Sequence, residues 1–205
     1  MERFGGIFLI AGLAFFGFAF LVMALVPYLH FKDLPVHTVA EVVDTVMDDF
    51  RDLETREPET FKNAFPAGAT KESAAIALQR GHDIDVAEAC WHCHSQLVRR
   101  VSNEDVRFGK ISYPGEYQNE LQMPPLMGTR RVGPDLIRQA GVHTNDWHIA
   151  HFYNPRAVSP TSVMPKFSWF FDESGERPVP NKDGFSIITY VQWLGSWIPE
   201  DERLD

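Results

Sequence analysis

Only two cysteines, Cys90 and Cys93, occur in the 205 residues, and they stand two residues apart. A disulfide framework and a four-cysteine zinc site are therefore excluded; whatever these thiols do, they do together. Basic residues are scarce as well, with 19 Lys and Arg against 28 Asp and Glu and a formal net charge of −9. Binding nucleic acid through its phosphates needs clustered Lys and Arg, so no nucleic-acid partner is expected. Internal repeats and low-complexity tracts are absent too.

Charge is missing altogether from Phe4 to Leu29 (FGGIFLIAGLAFFGFAFLVMALVPYL). At about 1.5 Å per residue, roughly 20 apolar residues cross a hydrocarbon core about 30 Å thick, and Ile7 to Val26 alone suffice. A cleaved signal peptide has an apolar region of only about 7–15 residues, ending at small residues. This run is longer and ends in Pro27-Tyr28-Leu29-His30-Phe31-Lys32. Tyr28 and Phe31 suit the membrane interface, and Lys32 can snorkel. We read a retained transmembrane anchor. The flanking Glu2, Arg3, Lys32 and Asp33 balance, so the positive-inside rule does not orient it.

After the anchor, His37 to Arg56 carries Val42, Val43, Val46 and Phe50 at helical spacing among acidic residues. The pattern predicts a juxtamembrane helix with a solvated face. Two prolines and a glycine between Glu57 and Thr70 predict a linker. A helix is expected from about Lys71, with Ala74, Ala75, Ala77, Leu78 and Ile84 forming an apolar stripe that leads into Cys90. Ser102 to Pro134 reads as long loops. Asn145 to Tyr153 reads as a short helix capped by Asn145 or Asp146. Asp183 to Trp197 closes the chain as an amphipathic helix through Phe185, Ile188, Val191, Trp193 and Leu194. The fold class is all-α: a single N-terminal transmembrane helix followed by a domain with long loops. The expected divisions are an anchor over 1–32, a juxtamembrane helix and linker over 33–70, and a functional domain over 71–205.

Chemistry concentrates in Cys90-Trp91-His92-Cys93-His94, which is C-x-x-C-H, the attachment signature of c-type haem. Two thiols at this spacing can add to the two vinyl groups of one haem as thioethers. The next residue, His94, is then held under the iron as proximal ligand, whereas His92 is left to packing or solvent. A thioredoxin-like dithiol would follow a strand in a βαβ unit, which the pattern lacks. Zinc would need Cys90 and Cys93 plus two outside histidines.

The iron needs a sixth ligand or an open site. Methionine opposite histidine suits electron transfer, and Met123, Met127 and Met164 are the candidates. Met164 stands in Ser162-Val163-Met164-Pro165-Lys166-Phe167, where proline stiffens the loop. His143, His148 and His151 offer a bis-histidine alternative. In Gly133-Pro134-Asp135-Leu136, the Pro134 carbonyl is a candidate acceptor for the Nδ1 proton of His94, fixing the ring. Arg130 and Arg131 are candidates for pairing with haem propionates.

Gln79 to Trp169 resembles the mono-haem, membrane-anchored O subunit of cbb3-type cytochrome c oxidases. The resemblance is carried by Cys-Trp-His-Cys-His-Ser-Gln (90–96), Gly-Thr-Arg-Arg-Val-Gly-Pro-Asp-Leu (128–136), Asp-Trp-His-Ile-Ala-His (146–151), Asn-Pro-Arg (154–156) and Ser-Val-Met-Pro-Lys-Phe (162–167). It implies a cytochrome c domain with one covalent haem c, ligated by His94 and by Met164 at the family's axial methionine position. Arg131 matches a basic residue near the haem. It implies a non-catalytic electron-transfer subunit. Its partners are other c-type cytochromes as donors, a haem–copper catalytic membrane subunit as acceptor, and lipid. It further implies single-pass residence in the inner membrane with the haem domain on the periplasmic side. Val98-Arg99-Arg100-Val101 stands where the family usually has Arg-Pro. The small cytochrome c subunit of a nitric oxide reductase, an open-site haem sensor and a zinc-binding assembly protein are the alternatives.

Overall fold

The computed structural model describes residues 2–43 and 45–198, and the chain divides into two compact units at Val36 and His37. The first holds α1 (Glu2–Phe20), a π-helical turn (Leu21–Leu25) and α2 (Val26–Phe31). Phe4–Phe31 is long and apolar enough to cross a membrane, with 28 residues, none of them buried. At 1.5 Å per residue that is about 42 Å. The π turn has a local cause. Pro27 lacks an N–H and its ring crowds the carbonyl four residues back. The backbone responds with a wider turn, in which the Val26 N–H donates to the Leu21 carbonyl five residues away.

The second unit is mostly helical. Its elements are α3 (Val39–Val42), α4 (Asp48–Arg56), α5 (Pro58–Ala64), α6 (Lys71–Ala87), α7 (Cys90–Cys93), α8 (Glu104–Phe108), α9 (Asn145–Tyr153), α10 (Pro155–Val158) and α11 (Lys182–Trp193). A small antiparallel hairpin pairs β1 (Phe171–Asp172) with β2 (Val179–Pro180). The pairing of α6 with α11 organises the core. Ala74, Ala77 and Leu78 on α6 face Phe185, Ile187, Ile188 and Tyr190 on α11, all fully buried. Gly81 lets the two backbones touch, since a Cβ there would strike the Ser186 carbonyl and Tyr190 Cβ.

Residues 37–56 form two helices where the pattern predicts one. Thr38 and Glu41 open α3 in a capping box. Val42, Val43, Thr45 and Val46 are β-branched and lose side-chain freedom in a helix. Asp48 and Asp49 then open α4, where acids suit the positive helix end. The break turns Val43, Phe50 and Leu53 inward, so this stretch joins the core on one side while Asp48, Arg51 and Thr55 keep the solvated face. The expected linker contains α5, started by Pro58 at a position where its missing N–H costs nothing. Phe61 of α5 stacks edge-on against Phe50 (5.0 Å between centroids) and Phe185 (5.3 Å). Phe61→Ala is therefore expected to cost about 3–5 kcal/mol, read as a lower denaturant midpoint of the whole chain in detergent.

The cap of α9 is Thr144, whose Oγ1 accepts from the Trp147 N–H at 3.3 Å. The two predicted caps are placed otherwise. Asn145 is buried and donates to the Asp49 carbonyl (2.8 Å) and Asp52 Oδ2 (2.9 Å), and Asp146 pairs with Arg56 at 2.7 Å. The hairpin lies in a polar stretch without strand-like alternation, and Asp172 Oδ1 turns it by accepting from the Ser174 N–H. Helix α11 stops at Trp193, and the left-handed backbone of Gly195 (φ 82°) carries the chain away.

Candidate functional site

The site begins where α6 ends. Ala89 adopts a left-handed backbone (φ 55°), a conformation that costs a non-glycine residue about 1–2 kcal/mol. It redirects the chain so that Cys90–Cys93 forms one fresh helical turn, closed by His94 N–H to the Cys90 carbonyl at 2.9 Å. Cys90, Cys93 and His94 all line one cavity of about 560 Å³, within the size range of cofactor sites.

A strap from Leu126 to Leu136 is sewn to this turn by backbone hydrogen bonds. Gln96 N–H donates to Leu126 O (2.7 Å), Arg130 N–H to His92 O (3.2 Å), Gly133 N–H to Cys93 O (3.1 Å) and Leu136 N–H to Ser95 O (2.9 Å). Glycines make the close approach possible. A Cβ on Gly128 would collide with the Trp91 and His92 carbonyls, and one on Gly133 would enter the His94 ring. The Pro134 carbonyl accepts from His94 Nδ1–H at 3.0 Å, which leaves Nε2 with its lone pair. Burial holds the His94 pKa below its ordinary value against the opposing pull of this bond, so the ring is a neutral donor.

Met164 lines the same cavity. Its backbone N–H donates to Ser162 Oγ at 3.2 Å, and Phe167 N–H to the Phe152 carbonyl at 3.0 Å fixes the end of its loop. Met123 and Met127 are 53% and 39% exposed and lie outside the lining. His143, His148 and His151 also reach the wall. His143 and His151 sandwich Trp147 at 3.7 and 4.4 Å between centroids. Burial, then His143 and His151, push the buried His148 down to about 3.

Arg130 is exposed and Arg131 is buried, and neither lines the cavity. The Arg131 guanidinium has partners outside the cavity. It pairs with Asp135 (3.0 Å) and Glu104 (3.4 Å), donates to the Leu97 carbonyl (2.9 Å), and lies 4.0 Å over the Phe108 ring. Asp135 in turn accepts from Leu97 N–H and Ile137 N–H. The pair braces the outer side of the strap, away from the cavity.

Two features bear on the thiol and zinc alternatives. Burial, then Asp85 and Glu88, push the Cys90 thiol up, the reverse of the lowered pKa that activates a thiolate. Among the described residues no three His, Cys, Asp or Glu side chains converge as a metal site.

The sequence pattern does not single out Asp85. It is fully buried and lines the cavity. A signal exists, since Leu78, Gly81 and Asp85 share the buried stripe of α6 at spacings of three and four.

A comparison with family models matches residues 58–183, well over half of the chain, to the family described as cytochrome C oxidase, mono-heme subunit/FixO. A comparison with curated proteins finds no match.

Proposed function

The chain belongs to the mono-haem FixO family of cbb3-type cytochrome c oxidase subunits, and on that premise we propose that it relays single electrons through one covalent c-type haem to the catalytic haem–copper subunit. One observation carries this reading: Cys90, Cys93, His94, Pro134 and Met164, drawn from three separate segments, meet around one cavity walled by Leu136, Phe152, Phe167, Ile187 and Val191. The donor set fits a haem.

When bound, the haem supplies one-electron chemistry, with its potential set by axial ligands and burial. The Cys90 and Cys93 sulfurs hold it as thioethers. His94 would offer its free Nε2 to the iron, with the Pro134 carbonyl orienting the ring through Nδ1. Met164, on the wall of the same cavity, would offer its thioether sulfur as a further ligand, a donor that raises the potential and suits electron transfer. The apolar wall excludes water and disfavours the more highly charged oxidised state. Val132 and Val163, 56% and 74% exposed, line the cavity on the solvent side, where a partner can approach. In this reading Arg131 braces the strap through Asp135. The anchor holds the domain at the membrane, on the periplasmic side, because this attachment chemistry takes place outside the cytoplasm. Other c-type cytochromes donate the electrons. Family membership favours the oxidase over the nitric oxide reductase alternative.

The test is an optical spectrum of the full chain purified in detergent, followed by denaturing extraction. Sharp reduced bands on haem that stays with the chain are expected. Met164→Ala should abolish the weak far-red methionine-to-iron band and open the iron to CO. A colourless chain, or haem that extracts freely, sinks the proposal; CO binding to the unsubstituted chain turns it toward the sensor.

A further inference from the structure

The buried polar cluster beside the cavity has no part in holding a haem, and its chemistry leads further. Asp85 is 0% exposed. Its Oδ2 accepts from Gln96 Nε2 at 3.3 Å, while its Oδ1 has no partner. Gln96 Oε1 accepts from Tyr190 O–H at 3.0 Å and from Gln122 Nε2 at 3.1 Å, and the Gln96 carbonyl accepts from Tyr117 O–H at 2.9 Å. The cluster therefore fixes the carboxyl in place without neutralising it.

No cation faces this carboxyl. The cavity lining contains no Lys or Arg among the described residues. From α6 itself come Glu88 on the cavity wall and His82, whose ring lies beside Tyr190 and whose Nδ1 is 3.6 Å from Asp83. From α7 comes Cys90, from α11 Tyr190, and from the loops the neutral Gln96 and Gln122. His94, His148 and His151 line the same cavity, all held below the ordinary histidine range, first by burial. A carboxylate here lacks solvation and a partner, and burial pushes the Asp85 carboxyl up to about 7.

Resting on the electron-relay reading, we propose that Asp85 is the redox-linked proton site of this domain, binding one proton as an electron enters the cavity and releasing it as the electron leaves. The balance is simple. One electron arrives from the c-type donor, one proton arrives from water, and an O–H bond forms on the Asp85 carboxylate. When the electron passes on, that bond breaks and the proton returns to water. The added negative charge raises the carboxyl's affinity for a proton, and by linkage the proton raises the affinity for the electron by the same factor.

The experiment is a redox titration of the haem-bearing full chain in detergent from about pH 5 to 9, spanning the range in which Asp85 titrates. Within its window the potential falls by up to about 59 mV for each tenfold drop in proton activity, the one-electron limit. Asp85→Asn flattens the slope and keeps the same optical bands. A flat profile in the unsubstituted chain overturns the proposal, as does an unchanged slope in Asp85→Asn or a slope removed by His151→Gln instead. Should Asp85→Asn fail to take up haem, infrared difference spectra of the unsubstituted chain decide. A carboxylic-acid carbonyl signal that grows on reduction and moves in D2O supports Asp85, and its absence counts against it. A colourless chain overturns the electron relay itself, whereas a haem-bearing chain with a flat profile overturns only the role of Asp85.

Discussion

Gly133→Ala is expected to remove His94 from the iron while leaving the chain folded. The conflict does not depend on a rotamer, because the Cβ itself lands inside the His94 ring. Either the ring leaves, breaking the 3.0 Å bond from Nδ1 to Pro134, or the strap lifts and loses the bond from Gly133 N–H to the Cys93 carbonyl. Both outcomes displace the nitrogen meant to ligate. Changes in groups that only orient a ligand cost about 10–100-fold in metal affinity or activity. A methyl group forced into the ligand itself belongs at the upper end of that range. With the haem held through Cys90 and Cys93 as proposed, the expected signature is a coloured protein that has lost its sharp low-spin bands and delivers electrons at least tenfold more slowly. Gly175→Ala is the control, since its nearest neighbour is the Arg177 carbonyl at 3.8 Å. If Gly133→Ala keeps the unsubstituted spectrum, the strap does not position His94.

The parts legible in the sequence are those whose signals are local. The apolar run is long enough to be recognised without any tertiary information. Helices α6 and α9 lie where their periodicity and flanking polar residues place them, and α11 holds Phe185, Ile188, Val191 and Trp193 buried as their spacing implies. The cysteines and His94 are contiguous, so one helical turn brings them to one wall. What escapes a sequence reading depends on partners distant in the chain. Periodicity alone does not show that α4 and α5 bury Phe50, Leu53 and Phe61 against α11, because the acidic residues among them read as a solvated face. Asn145 has the chemistry of a cap, yet Asp49 and Asp52, more than ninety residues earlier, claim its side chain. Arg131 has the charge to meet a propionate, and nothing in the pattern announces that Asp135 and Glu104 also pair with it. Asp85 reads as one more helical acid, because its charge masks its place on the stripe it shares with Leu78 and Gly81.

A large effect on stability is expected at Gly81. Glycine in a helix interior costs about 0.8–1.0 kcal/mol relative to alanine, so on an exposed helix its replacement would stabilise. Here packing opposes propensity. Any Cβ at residue 81 meets the Ser186 carbonyl and the Tyr190 Cβ, and neither is the loose end of a flexible side chain. For Gly81→Val the helices α6 and α11 must separate, and the packing of the fully buried Leu78, Ile187, Ile188 and Tyr190 loosens as one. Overpacking usually costs about 1–3 kcal/mol. Because the separation loosens both helices along their shared face, at least about 3 kcal/mol is expected, or a fall in Tm of roughly 6–12 °C for a chain of this size. The damage should also reach the cavity. Ile187 and Val191 line it from α11, and Tyr190 on the same helix donates to Gln96 in the Asp85 cluster. Thermal unfolding followed at the haem bands and at the helical signal together is the informative measurement. Coincident transitions at the lower temperature fit one cooperative α6–α11 core that also forms the wall of the site. A Tm that rises in Gly81→Ala would mean that propensity outweighs packing, and the close approach of the two helices would not be what holds this domain together.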